Sequence, residues 1–381
     1  MEKNNNLSQP APDVDGKKLF SIWKILLPIA IGLGVVAYMF WRDAENENLA
    51  HVWKSLEFTP RTWLGVGLAL LFMFGRDFGL SWRFRTLTNR QLRWGQAFKV
   101  DLLCEFTSCV TPSAVGGSSF GMIFLNSQGI EFGRATTLMM ATLFLDELFF
   151  VVFCPIMVFL TPAHEIFMSG DSALSHGLRL TFWLVYSGIF IWTSILYMGI
   201  IRRPGWIRGL IGKIFKWRWL RKWQNSAETL GDNMIATSKE LRARPFGYWV
   251  KVFGGTVLSW FSRYLVVNAL FLGFLPQDDQ WQWVIFAREF VIWVVLMVSP
   301  TPGGSGLSEW LFSEYYGDIV PTAGMALMLA IMWRIISYYL YLGIGVAIVP
   351  GWLRSTVGRF RSKGAKQSTQ NKSDNNESGE S

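Results

Sequence analysis

Ionisable side chains stand in this sequence where apolar ones are the rule. Arg76-Asp77, Asp101, Glu105, Asp146-Glu147, Arg263, Arg288-Glu289, Glu309, Glu314 and Arg334 all fall in stretches otherwise rich in Leu, Phe, Val, Ile and Trp. Helix-breaking residues interrupt two of the same stretches: Thr111-Pro112-Ser113 followed by Gly116-Gly117-Ser118-Ser119, and Thr301-Pro302-Gly303-Gly304-Ser305-Gly306. Three kinds of chemistry suit these residue types. Arginines and carboxylates in an apolar interior make ion paths, proton relays or headgroup contacts. A helix restarting after a Gly-rich turn aims free N–H groups and its positive dipole end at an anion. Neighbouring carboxyl groups such as Asp146-Glu147 can divide acid and base roles.

Long apolar runs at 25–40, 62–80, 136–160, 180–201, 252–275, 284–298 and 322–349 carry these residues. Several reach the roughly 20 residues that an α-helix needs to cross about 30 Å of hydrocarbon. With 51% hydrophobic and 17% charged residues, the chain is too apolar for a soluble core. The first run follows more than 20 polar residues and ends in Met39-Phe40-Trp41-Arg42, so it reads as an uncleaved span, not a signal peptide. Cys104, Cys109 and Cys154 form no CxxC pattern, and His51, His164 and His176 fall in expected loops. Neither a disulfide framework, a metal site nor a cofactor is expected.

The formal charge of +9 is distributed as on a membrane protein, so no nucleic-acid partner is expected. Segments 83–99 and 202–251 are basic, the latter holding twelve Lys and Arg against Glu228, Asp232 and Glu240, and so is the tail after Trp352. Connectors 161–177 and 276–280 hold only acids among fully charged residues, apart from their flanks. Basic loops stay cytoplasmic, which places both termini inside. Six spans satisfy this threading, at about 23–41, 62–82, 136–160, 178–201, 248–275 and 322–349. Two pieces, 97–127 and 281–317, must enter and return on one side, and each breaks near its middle. The expected fold is all-α: a polytopic helical bundle of about six full spans plus two re-entrant broken-helix hairpins in an inverted repeat. Repeat 1 covers about 21–160 and repeat 2 about 178–350, within a membrane domain 21–350. Residues 1–20 and 351–381 are expected to be disordered cytoplasmic tails.

Non-helical backbone at membrane depth is tolerated only where protein or a water-filled cavity satisfies it. Both breaks are therefore expected to bind substrate, through Thr111, Pro112, Ser113, Gly116, Gly117, Ser118 and Ser119 and through Thr301, Pro302, Gly303, Gly304, Ser305, Gly306 and Glu309. Ser118 and Ser305 are candidate helix caps. Glu309, in the first turn of a restarted helix, is the foremost candidate; Met122 holds the corresponding place in the first repeat. Each interior ion costs about 2.5–3.5 kcal/mol on insertion scales, so Arg76, Asp77, Asp146, Glu147, Arg263, Arg288, Glu289 and Arg334 are expected to face inward. Neighbours on a helix diverge by about 100°, so Arg76-Asp77 and Arg288-Glu289 are expected to pair across helices. Ion pairs that merely lock the bundle remain open for each. Within the linker 202–247, GWIRGLIGKIFKWRWLRKW at 205–223 reads as an amphipathic helix on anionic lipid at the cytoplasmic face.

SPTPGGSGLSE at 299–309 and TPSAVGGSSFGMIFLNSQG at 111–129, followed by Gly133-Arg134-Ala135, carry a family resemblance. Over roughly 20–350 the chain resembles the transmembrane region of lysylphosphatidylglycerol synthases, a family also described as flippase-like. The pattern Pro-Gly-Gly-x-Gly-x-x-Glu falls on Pro302, Gly303, Gly304, Gly306 and Glu309. The resemblance implies a bacterial inner-membrane protein that handles or translocates a phospholipid or lipid-linked headgroup. Many members carry charged residues after the first Pro-Gly, where Ser113-Ala114-Val115 and Gly121-Met122 stand here. No soluble aminoacyltransferase domain is expected after residue 350, and no catalytic residue is assigned.

The leading expectation is a flippase-like transporter of an anionic phospholipid or lipid-linked headgroup. It needs no ATPase motif, and no GxxxxGK[ST] occurs. A membrane-embedded transferase using paired acids, or a non-catalytic scaffold, are the alternatives.

Overall fold

A computed structural model describes residues 59–111, 116–168, 173–203, 205, 206, 209, 224–275 and 279–352, with no strand among them. Helix α1 is Pro60–Leu87. Thr59 caps it by accepting from the Thr62 N–H, and Pro60 occupies a position whose N–H would have no helical partner. Asn89 and Arg90, with φ of 53° and 61°, turn the chain after it. Next come α2 (Trp94–Val110), α3 (Gly116–Ser127), α4 (Phe132–Leu160), the short α5 (Ala163–Ile166) and α6 (Ala173–Tyr197), which a π turn extends to Arg202. Then follow α7 (Gln224–Arg242), α8 (Phe246–Phe274), α9 (Asp279–Leu296) and α10 (Leu307–Tyr316). Finally α11 starts as Ala323–Arg334, passes a π turn at Ile335–Tyr339 and runs on to Trp352.

Helices α1, α4, extended α6, α8 and α11 are long and apolar enough to cross a membrane. They match five expected spans, with α1 reaching five residues beyond the expected end at 82. The expected span 23–41, the tail 1–20 and residues 353–381 lie outside the described residues, as do Pro112 and Ser113. Apart from residues 205, 206 and 209, so does the stretch 205–223. Gly351 and Trp352, expected in the disordered tail, close α11.

Helices α1 and α8 make the most extensive helix contact among the described residues, and they run antiparallel. A Cβ added to Gly65 would lie 2.6 Å from the Gly273 Cα, and one on Gly79 would lie 2.6 Å from the Gly255 carbonyl oxygen. Small residues let the two backbones touch, which is how helices gain van der Waals contact where lipid offers no hydrophobic drive. On the other side of α8, Trp260, Phe261 and Tyr264 meet Phe149 of α4 and Phe290 of α9 in one aromatic cluster.

The hairpins α2–α3 and α9–α10 enter from opposite faces. Helix α2 begins beside the end of α1, and α3 ends where Ser127 accepts from the Trp352 indole N–H at the end of α11. This is the basic face, with Arg85, Arg93, Arg202, Arg203, Arg242 and Arg244. Helix α9 begins after the far end of α8, and the Tyr315 hydroxyl at the end of α10 donates to the Ile166 carbonyl beside the far end of α4.

Candidate functional site

The second break runs from Met297 to Gly306. Helix α9 unwinds through tightened bonds, Val298 N–H to Val295 and Ser299 N–H to Leu296, and Gly304 and Ser305 donate to Thr301 and Pro302. Gly303, Gly304 and Gly306 adopt φ of 58°, 71° and 86°. In this left-handed region a Cβ crowds the following carbonyl, so glycine is the inexpensive residue. Gly303 has a second constraint. A Cβ there would lie 2.2 Å from Tyr338 Cε2 and 3.1 Å from the Cys109 carbonyl oxygen.

Cys109 belongs to the other hairpin, so the two breaks meet. The Gly303 N–H donates to the Thr111 carbonyl at 3.3 Å, and the Tyr338 hydroxyl donates to the Cys109 carbonyl at 3.1 Å. The junction lies midway along the 30 residues of α11. The Gly303 N–H and the Thr111, Cys109 and Gly303 carbonyls, which broken helices would otherwise leave unpaired, are thus satisfied across the junction and by α11.

Glu309 and Arg334 close the second break. Glu309 is 0% exposed. Its Oε2 accepts from the Gly306 N–H and the Ser308 hydroxyl, both at 2.8 Å, and its Oε1 accepts from Arg334 Nε at 3.0 Å. Arg334 Nη2 donates to the Gly303 carbonyl at 3.1 Å and the Ser305 hydroxyl at 3.4 Å. The guanidinium lies 3.9 Å over the Tyr338 ring. The π turn starting just after Arg334 carries Tyr338, and such turns recur at functional sites.

This geometry corrects two cap assignments. Gly306, not Ser305, is the N-cap of α10, and Ser305 serves Arg334 instead. Helix α3 starts at Gly116, so Ser118 lies inside it. The carboxylate at the dipole end of α10 is the chain's own Glu309.

A second charged cluster lies between this junction and the basic face. Arg76 of α1 pairs with Glu105 of α2. Arg263 of α8 reaches the same carboxylate at 3.5 Å, its guanidinium 5.0 Å from Trp260 and 4.7 Å from Trp293. The Tyr341 hydroxyl donates to Asp77 at 2.7 Å, and the Arg76 guanidinium stands 4.6 Å over the Tyr341 ring. The expectation that Arg76 and Asp77 point apart is corrected: Arg76 Nη1 lies 3.4 Å from Asp77 Oδ1. Long side chains leaning toward Tyr341 close the angle that their Cα positions open.

Arg83 grips Asp146 through both oxygens, at 2.6 and 3.1 Å, and Trp260 adds an N–H at 2.9 Å. Arg288 grips Asp318, at 2.5 and 2.7 Å, and donates to the Glu165 and Tyr315 carbonyls. Arg288 and Glu289 do point apart, since Glu289 meets the Tyr316 hydroxyl. Among the described residues, Asp101 Oδ2 and Glu147 Oε2 are buried without a hydrogen-bond partner, while the Trp293 indole N–H lies beside the Glu289 carboxyl.

Sequence reasoning missed Tyr338, Tyr341 and Asp318. The tyrosines follow Arg334 by four and seven residues, the spacing of one helical stripe, and that was the available signal. Asp318 gave none, because it sits in a loop. A groove of about 630 Å³ lined by Phe72, Phe253, Val257, Phe261 and Leu265 runs along α1 and α8.

Residues 25–345 match the family model described as the lysylphosphatidylglycerol synthase transmembrane region. The chain belongs to that family. It is also 23% identical over 342 residues to a UPF0104 membrane protein of Archaeoglobus fulgidus, covering 85% of this chain and 95% of that protein. No solved structure matches. Family membership and five spanning-length helices make this a multi-pass membrane protein.

Proposed function

We propose that this member of the family is a flippase-like transporter that passes a phosphate-bearing lipid headgroup across the membrane at the junction of its two broken helices. The observation that carries this reading is the meeting of the breaks: Gly303 N–H on the Thr111 carbonyl, with Arg334, Glu309 and Tyr338 around them. Two hairpins inserted from opposite faces, touching at mid-depth, leave a short barrier between the two aqueous sides. Inverted halves that rock about such a site give alternating access. Repeat 1 (21–160) and repeat 2 (178–350) are the moving halves in this reading.

Arg334 is the headgroup contact. Its guanidinium can hold a phosphate by two parallel N–H bonds, and Glu309 occupies that role while no headgroup is bound. Arg76 and Arg263 continue the path toward the basic face, and the apolar groove along α1 and α8 suits the acyl chains. The location is the bacterial inner membrane, with both termini cytoplasmic and 205–223 resting on anionic lipid.

The test uses purified protein in liposomes with a trace of fluorescent phosphatidylglycerol and an impermeant quencher added outside. Wild type should let nearly all label be quenched, whereas Glu309→Gln and Gly303→Leu, checked for an unchanged elution profile, should hold it near half. Label held near half in wild type, with this lipid and with a zwitterionic one, rejects the reading. Covalently altered lipid would replace it with transferase chemistry.

A further inference from the structure

Glu289 sits on α9, the first arm of the second broken helix, and is 0% exposed. Among the described residues no cation pairs with it. The adjacent Arg288 is committed to Asp318 and to the Glu165 and Tyr315 carbonyls. Of the helices packed on α9, α10 brings Tyr315 and Tyr316, and α8 brings Tyr264, whose ring lies 4.7 Å from that of Phe290, and Arg263, whose guanidinium lies 4.7 Å over the Trp293 ring and is paired with Glu105. Cys154 of α4 is buried. On α5, His164 and Glu165 face each other near the surface at 3.9 Å, and on α6, Arg179 stands over Phe167. None of these supplies a counter-charge to Glu289.

The hydrogen count favours the protonated form. The Tyr316 hydroxyl lies 2.8 Å from Glu289 Oε1 and 3.1 Å from the Ile285 carbonyl oxygen. A phenol has one hydrogen to donate, and a carboxylate and a carbonyl both only accept. With Glu289 ionised, one contact would set two acceptors together. With Glu289 protonated, its O–H donates to the Tyr316 oxygen and the Tyr316 O–H donates to Ile285. Both contacts are then hydrogen bonds.

We propose that Glu289 carries a transferable proton, and that this proton moves together with the anionic headgroup. The proposal rests on the transport reading above. The buried arginines already face carboxylates: Arg76 and Arg263 face Glu105 and Asp77, Arg83 holds Asp146, Arg288 holds Asp318 and Arg334 holds Glu309. Among the described residues an arriving anion therefore meets no spare positive charge, and a proton crossing with it makes the net charge moved zero. On release only the Glu289 O–H bond breaks, and the proton passes to water on the side where protons are scarcer. The Tyr316 O–H then turns from Ile285 to the carboxylate, and reprotonation from the other side restores the start. Tyr316 is a positioning residue.

Infrared spectra of the purified protein in lipid, for wild type, Glu289→Gln and Tyr316→Phe, test the site without transport. A protonated-carboxyl band at neutral pH that is lost in Glu289→Gln and shifted in Tyr316→Phe supports it; absence of such a band overturns it. In liposomes with an imposed pH difference, wild type should redistribute labelled phosphatidylglycerol by about tenfold per pH unit if one proton accompanies each lipid. Glu289→Gln should still move lipid but ignore the pH difference. If Glu289→Gln follows it as wild type does, the coupling is overturned. If wild type moves no lipid, the transport reading and the coupling fail together, while the infrared band separately decides whether Glu289 holds a proton.

Discussion

At the second break the turn is fixed from within: Glu309 caps its own helix, Arg334 bridges the carboxylate to the Gly303 carbonyl, and Tyr338 lies beneath. Among the described residues, the first hairpin is held by Glu105 midway along α2 and by contacts at its ends. Ser127 takes the Trp352 indole, the Asn126 amide holds the Ile130 carbonyl, and Glu240 of α7 ties Asn89, just before α2, to Arg134 at the start of α4. At the place matching Glu309, Met122 accepts a weak contact from the Thr136 hydroxyl at 3.7 Å. Two hairpins with similar sequences thus divide the work. The second holds the charged lock, and the first presents carbonyls to it.

The largest effect should come from breaking the lock. Arg334→Ala leaves Glu309 buried without its counter-ion, a loss of about 3–5 kcal/mol for buried pairs. The thermal midpoint in detergent should fall further than for any single substitution at Met122. Replacing both partners, as Arg334→Met with Glu309→Met, should cost clearly less than the sum of the single changes, because neither charge is stranded. An additive double variant would show that the pair does not act as a unit, and the contrast between the hairpins would lose its basis.

A smaller effect separates glycines. Gly303→Ala must accept a left-handed backbone, about 1–2 kcal/mol, and also collides with Tyr338 and approaches the Cys109 carbonyl. Gly304→Ala meets only the backbone cost, its nearest neighbour being 3.8 Å away. Gly121→Ala, in the first hairpin, touches Met139, a side chain free to swing aside. Unfolding midpoints should therefore drop most for Gly303→Ala. Equal drops at 303 and 304 would show that the contact between the breaks contributes no stability.

How far these features were legible from residues alone follows the range of the forces involved. Five of the six expected spans, the hairpins and the positions of both breaks were readable because apolar length and Pro-Gly chemistry act within a few residues. Glu309 was readable as a first-turn acid, but not as a group already held by Gly306, Ser308 and Arg334, since that needs α10 and α11 side by side. The Arg76–Glu105–Arg263 cluster joins α1, α2 and α8. Only its composition could be anticipated, through the excess of acids over arginines. The Arg76–Asp77 contact was misjudged because helical geometry fixes Cα directions and leaves the reach of a guanidinium open.

The smallest expected effect probes the outer bracing of the first hairpin. Glu240 accepts from Arg244 and Asn89, both at 2.7 Å, and from Arg134 at 3.3 Å. Partial burial works against its charge, but the Arg244 and Asn89 hydrogen bonds and the nearby arginines hold its carboxyl below the ordinary range. A carboxyl lowered on folding contributes stability above its unfolded value and loses it as pH falls through the folded value. Glu240→Gln should remove that acid-side dependence and cost under about 1 kcal/mol, as half-exposed pairs do. Hydrogen exchange localises the loss: amides of α7 and of the loop before α2 should exchange faster, while those of α10 stay unchanged. Faster exchange in α10 would mean that the two hairpins are braced as one body and not separately.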